Sequence, residues 1–260
     1  MTSAETAGAD HSLDGFLDRR VTLVQPRHGH RAGLDAALVQ ALVPAKADGL
    51  AVDLGAGVGT IAFCLAARAA DLCTVGVERD PVLVGCAGAA LALPENAGFA
   101  SRVRMVRADV TDLPALQEAG LGDRVADWVV MNPPFDTQGR VRGSPDESRR
   151  AAHVGGSGTL EAWLRTAAVL LKPNCWLALI HRAAELASAL DALRQCRFGD
   201  IRVLAVHPEV EKPASRVMVT ARLGSRAGLQ IVPPLVLHAS DGSWTPAADA
   251  ILRGRAELSV

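Results

Sequence analysis

The 260-residue sequence has no uncharged stretch long enough to cross a bilayer. The longest, such as Pro81–Pro94 and Leu54–Ala67, run 14 residues, short of the ~20 that a spanning helix requires. The first 18 residues hold Glu5, Asp10, Asp14 and Asp18 but no Lys or Arg, so the basic start and apolar run of an export signal are missing. Residues 1–18 read instead as an acidic, disordered leader. The five cysteines, Cys64, Cys73, Cys86, Cys175 and Cys196, are odd in number and form no CxxC pair. That argues against a disulfide framework or a structural zinc site and fits a reducing, cytoplasmic setting. No internal repeat is present, and the 24 Gly and 14 Pro follow no period, which excludes collagen-like and coiled-coil chains. Neither charge dominates: 27 basic against 28 acidic residues leave a net -1, unlike a histone-like protein that coats nucleic acid. Tyrosine is absent altogether, and only three of the basic residues are Lys.

What remains is a chain that is 49% hydrophobic and 21% charged, enough apolar material for a buried core. Residues 19–260 are expected to form a single domain. From about residue 50, short apolar runs alternate with helix-like segments. The runs are Leu50–Leu54, Val75–Val77, Val103–Val106, Val125–Met131 and Trp176–Ile180; Ala- and Leu-rich spacers include Thr60–Ala70, Val82–Leu93 and Ala184–Arg194. Continuous apolar runs mark strands covered on both faces, and helical spacers supply right-handed crossovers. The pattern predicts an open α/β sheet, mostly parallel. Ile201–His207 and Val217–Arg222 have no clear helix between them, so they are expected to pair antiparallel. Pro233–Val236 and Ala247–Leu252 form a tail with no role assigned.

In such sheets ligands bind beyond the carboxyl ends of the strands. The first run exits through Asp53-Leu54-Gly55-Ala56-Gly57-Val58-Gly59-Thr60. Glycines at 55, 57 and 59 permit positive φ and close backbone approach, and the helix start that follows offers free N–H groups. Nineteen residues after Gly59, the second run ends at Glu78, placed to accept hydrogen bonds from two ribose hydroxyls. A nucleoside-bearing cofactor is implied. Thr60 stands where a dinucleotide fingerprint has Gly or Ala, and Asp53 would repel a pyrophosphate while favouring an ammonium group. Both features favour S-adenosylmethionine. Asp109, after the third run, can accept from an adenine amino group.

The fourth run ends in Asn132-Pro133-Pro134-Phe135. Two prolines remove two N–H donors and fix φ, leaving the local carbonyls as acceptors. If Asn132 Oδ1 and the Pro133 carbonyl each accept a hydrogen from an exocyclic amino group, its lone pair is turned toward a methyl donor. The fixed dipoles then stabilise the positive charge that develops on nitrogen. Phe135 offers a flat face for stacking the acceptor.

Taken together, the glycine turn, Glu78, Asp109 and Asn132 to Phe135 resemble the class I S-adenosylmethionine-dependent methyltransferases that methylate amino groups. Gln25-Pro26-Arg27-His28-Gly29-His30-Arg31, followed by Leu34-Asp35-Ala36, is similar to the QPxxGYRFSLDA element of the bacterial tRNA (adenine-N6)-methyltransferases that act beside the valine tRNA anticodon. Val206-His207-Pro208, Ala214-Ser215-Arg216-Val217 and Pro233 to Leu237 look like that family's C-terminal pattern. The resemblance implies a Rossmann-like fold with a mostly parallel seven-stranded sheet, an antiparallel final strand and helices on both faces. It also implies S-adenosylmethionine as cofactor, bound by Asp53, Gly55, Gly57, Gly59, Glu78, Asp109 and Asn132, with Asn132, Pro133, Pro134 and Phe135 as catalytic positions and RNA, most naturally tRNA, as partner. The chain departs from the pattern at His30 and Ala32, which replace Tyr and Phe, and at Arg150-Ala151-Ala152-His153, which replaces an ARH element.

Two stretches are basic. Arg19–Arg31 holds four Arg and no acid, and Arg194–Arg226 holds seven basic against three acidic residues. Arg31, Arg140, Arg142, Arg149 and Arg150 are candidates for contacting phosphates. No metal is expected, because no Cys or carboxylate lies at ligand spacing from His28 and His30. No G-x-S-x-G elbow supports a hydrolase. Three other functions remain open: N5-methylation of a protein glutamine, O- or N-methylation of a small molecule, and RNA binding without turnover.

Overall fold

The computed structural model describes residues 10–28, 31–134 and 157–258. Its centre is an eight-stranded sheet. In chain order the strands are β3 (Gly49–Leu54), β4 (Leu72–Glu78), β5 (Val103–Arg107), β6 (Ala126–Met131), β7 (Leu171–Arg182), β8 (Phe198–Glu209), β9 (Arg216–Leu223) and β10 (Gln230–His238). Across the sheet they lie in the order β10-β8-β9-β7-β6-β3-β4-β5. Only β9 runs against its neighbours, pairing antiparallel with both β7 and β8. The expected α/β sheet is therefore present, with the Ile201–His207 and Val217–Arg222 runs paired antiparallel as their short connection requires.

The tail adds an eighth strand to the seven expected. β10 pairs parallel with β8, and its register shifts between Val232 and Leu235, at Pro233-Pro234. Prolines cannot donate to a ladder, and an edge strand with a bulge is where a sheet tolerates them. The antiparallel strand is thus β9 rather than the last.

Helices cover both faces. On one, α5 (Leu113–Glu118), α6 (Ser157–Leu170) and α7 (Leu186–Gln195) bring Leu116, Leu164 and Leu193 against Val129, Leu177 and Val219 of the sheet. On the other, α1 (Leu34–Val39), α2 (Thr60–Arg68) and α8 (Pro246–Leu252) bury Leu38, Ile61 and Ile251 against Val130 and Ile180. The β4–β5 crossover contains α3 (Pro81–Leu91), N-capped by Asp80 accepting from Val82, and α4 (Ala97–Ala100). No single helix among the described residues is long and apolar enough to cross a membrane.

The acidic leader expected over residues 1–18 requires correction. His11–Phe16 form strand β1, paired antiparallel with β2 (Val21–Pro26) around a turn in which Leu17, Asp18 and Arg19 take positive φ. The apolar run Val21–Val24 is buried against Phe63, Ala87 and Phe99, so β2 belongs to the core and β1 covers its edge. Two acids of this segment are paired: Asp14 is bound by Arg31, and Asp18 by Arg253 and Arg255. Acidic residues next to an apolar strand here mark ion pairs rather than solvated chain. Residues 1–9 lie outside the described residues.

Candidate active site

Parallel pairing aligns the carboxyl ends of β3, β4, β5 and β6. Leu54 stands beside Val77 and Met131, and Glu78 beside Arg107, so Asp53, Glu78, Asp109 and Asn132 all gather at one end of the sheet. The glycine turn spans that end. Gly55 and Ala56 both donate to the Val77 carbonyl at 2.9 Å, and Gly55, Gly57 and Gly59 all have positive φ. Glycine is required twice over at position 55: φ is +72°, and a Cβ would collide with the Trp163 ring of α6.

Two carboxylates hold this turn. Glu78 Oε2 accepts from the Gly57 N–H and Oε1 from the Asp80 N–H, both at 2.9 Å. Each oxygen keeps a lone pair for a further donor. Asp53 is 1% exposed beneath the turn, where Oδ2 accepts from the Ala62 N–H at 3.1 Å and Oδ1 meets no donor among the described residues. Burial pushes its carboxyl up to about 7, the Ala62 hydrogen bond opposes the shift, and the Glu78 charge adds to it. Asp109 sits farther out. Burial would raise it, but hydrogen bonds from the Thr111 N–H and hydroxyl, together with the Arg79 guanidinium, hold it below the ordinary carboxylate value.

Beside the turn lies an open cavity of about 370 Å³. Gly55, Gly57 and Asn132 line one side of it, and Arg31, Asp35 and Arg216 are also in its wall. Asn132 Oδ1 is buried and accepts from no donor among the described residues. A buried acceptor without a partner is uncommon and marks a place where a ligand donor belongs. Pro133 is buried and Pro134 exposed. Phe135, Arg140, Arg142, Arg149 and Arg150 lie outside the described residues, as does His30. Asp53, Gly59, Glu78 and Asp109 are not in the cavity wall, so of the candidate cofactor residues the cavity gathers Gly55, Gly57 and Asn132.

Residues 35, 215 and 216 were not assigned a role from sequence, yet all line the cavity. Arg216 Nε on β9 donates to Asp35 Oδ2 on α1 at 2.9 Å. The available signal was that Leu34-Asp35-Ala36, Val206 and Ser215-Arg216 belong to the family-like segments, and these segments converge on one cavity.

A family model described as "Methyltransferase small domain" matches residues 32–145. A crystal structure of a predicted O-methyltransferase from Agrobacterium tumefaciens superposes with a TM-score of 0.73 and 33% identity, covering 86% of this chain and 98% of that one. The chain belongs to the S-adenosylmethionine-dependent methyltransferases. Curated relatives named tRNA1(Val) (adenine(37)-N6)-methyltransferase include one from Porphyromonas gingivalis W83, 29% identical over 90% of this chain and 91% of its own length. Another, from Yersinia enterocolitica, is 28% identical over 92% of this chain and 90% of its own length. The methyltransferase uses S-adenosylmethionine as its cofactor, and its residues fit that molecule: a turn with no side chain at positions 55, 57 and 59, a doubly anchored carboxylate at Glu78, and a buried Asp53 oxygen that meets no donor among the described residues.

Proposed function

We propose that this methyltransferase methylates the exocyclic N6 amino group of an adenine in tRNA. The observation that carries the reading is the buried Asn132 Oδ1, without a donor among the described residues, on a residue of the cavity wall beside the glycine turn. When bound, S-adenosylmethionine supplies an activated methyl group on a sulfonium. Glu78 is the candidate for holding the ribose hydroxyls, Asp109 the adenine amino group and Asp53 the ammonium group. Asn132 Oδ1 and the Pro133 carbonyl accept the two hydrogens of the target amino group. This aims its lone pair, and their fixed dipoles favour the positive charge that grows on nitrogen. Phe135 is the candidate for stacking the base, and Arg140, Arg142, Arg149 and Arg150 for meeting phosphates. The names of the relatives from Porphyromonas and Yersinia support the acceptor. A tRNA acceptor puts the work in the cytoplasm.

The likeness to the predicted O-methyltransferase from Agrobacterium favours a second reading, O-methylation. A hydroxyl must give up its proton to a base as it attacks, whereas the amino nitrogen has a lone pair to offer before any proton leaves. Asn132 is an acceptor and not a base, which favours nitrogen. The test is transfer of labelled methyl into separated tRNA, rRNA, protein and small-molecule fractions from a strain lacking the gene, with mass spectrometry of any labelled nucleoside. N6-methyladenosine in tRNA is expected. Label confined to protein or small molecules, or no label at all, overturns the reading.

A further inference from the structure

The cavity wall contains a cation whose geometry is set by the N-terminal hairpin, a segment that precedes the match to the methyltransferase family model at residues 32–145. Arg31 and Ala32 both line the cavity. Arg31 Nη2 donates to Asp14 Oδ2 at 2.8 Å, and Nη1 donates to the Pro26 carbonyl at 2.9 Å and to Ser12 Oγ at 3.1 Å. The same Asp14 oxygen accepts from Ser12 Oγ at 2.8 Å and from Gln25 Nε2 at 2.9 Å. Gln25 is itself buried, and its Oε1 accepts from the Ala32 N–H at 2.7 Å. One carboxylate oxygen on β1 thus gathers three donors and, through Gln25, fixes the backbone of the residue that follows the arginine.

We propose that Asp14 is a positioning residue of the methyl-transfer site and that it holds Arg31 as an oxyanion-binding cation in the cavity wall. An arginine side chain in water explores many rotamers, and ordering it on ligand binding costs affinity. Here three hydrogen bonds hold the side chain before a ligand arrives. Arg31 stays 38% exposed, so a ligand can reach it, and its Nε–H donates to no acceptor among the described residues. A planar guanidinium with a free N–H edge suits a carboxylate or phosphate oxygen. Both reactants of the proposed function carry one, the amino-acid carboxylate of the cofactor and the phosphates of the acceptor, and the inference rests on that function.

Steady-state kinetics test it, varying tRNA and S-adenosylmethionine in turn for wild type, Asp14→Ala, Asp14→Asn, Arg31→Ala and the Asp14→Ala/Arg31→Ala double variant. Arg31→Ala and Asp14→Ala should each raise one KM about tenfold and leave kcat within roughly twofold. A rise for tRNA identifies a phosphate as the bound group, and a rise for S-adenosylmethionine a carboxylate. Because Asp14 acts through Arg31, the double variant should be no worse than Arg31→Ala alone. Asp14→Asn keeps the size of the side chain and an acceptor oxygen, so it should melt like wild type yet still raise the same KM. Additive effects, or both KM values unchanged in the Arg31 variant, overturn the inference. Wild type run alongside separates the two readings: no transfer to tRNA overturns the proposed function and this inference with it, whereas active wild type with unaltered variants overturns this inference alone.

Discussion

Glu78 Oε2 accepts the Gly57 N–H at 2.9 Å, which ties the end of β4 to the turn that leaves β3. Since Oε1 is held by the Asp80 N–H as well, the carboxylate is fixed at both oxygens, and its remaining lone pairs point in set directions. Glu78→Gln places an NH2 group where one of those two backbone donors now meets oxygen. Hydrogen bonds to a charged group contribute about 1.5–3 kcal/mol. Cofactor affinity should therefore fall roughly 10- to 100-fold in isothermal calorimetry. A variant that binds S-adenosylmethionine as tightly as wild type would remove Glu78 from the cofactor site.

Asn132 should show the opposite division. Its Oδ1 is buried and meets no donor among the described residues, so Asn132→Ala breaks no hydrogen bond to that oxygen there and should melt close to wild type. Turnover should drop by roughly 10² or more, as when one preorganised dipole is removed from a transition state. Cofactor affinity should stay within about twofold. Single-turnover methyl transfer together with a binding titration measures both, and retained turnover sinks the assigned role.

Much of this site was legible from the chain because each residue stands at a fixed offset from an apolar run. Leu50–Leu54, Val75–Val77 and Val125–Met131 end at Gly55, Glu78 and Asn132, and parallel pairing brings those ends together without further instruction. The Asp35–Arg216 pair is different. Its partners are 181 residues apart, and only the closure of β9 against β7 and the packing of α1 beside them brings the two together. The hairpin was missed for another reason. Local composition registers the acidity of Asp14 and Asp18 but not their arginine partners, of which Arg253 and Arg255 lie at the far end of the chain.

Asp53 makes stability depend on pH in an unusual direction. Its carboxyl titrates near 7 in the fold against 3.8 for an ordinary aspartate, so between those values the folded chain keeps a proton that the unfolded chain has released. The contribution of this group is full below about pH 4, declines as pH rises, and is lost once pH passes about 7. Asp53→Asn removes that dependence. Relative to wild type, the variant should gain a few kcal/mol at most on moving from pH 4 to pH 8, measured by urea unfolding at each pH. Wild-type and variant stabilities that run parallel across this range would show that the proton is not held.

Asn96 links the hairpin to the catalytic core and can be tested without any substrate. The residue is fully buried; its Oδ1 accepts the Thr22 N–H at 2.9 Å, and its Nδ2 donates to the Thr22 and Ala90 carbonyls at 2.7 Å. β1 occupies only one edge of β2, and on the other edge the amide of Asn96 supplies the donor and acceptor that a neighbouring strand would. Asn96→Ala leaves the N–H and C=O of Thr22 buried and unmatched, at about 1–3 kcal/mol for each such group. The loss should be local first. Hydrogen exchange over residues 11–26 should rise well before exchange in β3 or β6 changes, because the hairpin forms a sheet of its own and pairs with no strand of the eight-stranded sheet. If the whole chain instead loses protection together, the hairpin is part of the same cooperative unit as the sheet, and Arg31 and Ala32 are positioned by global stability rather than by a separable element.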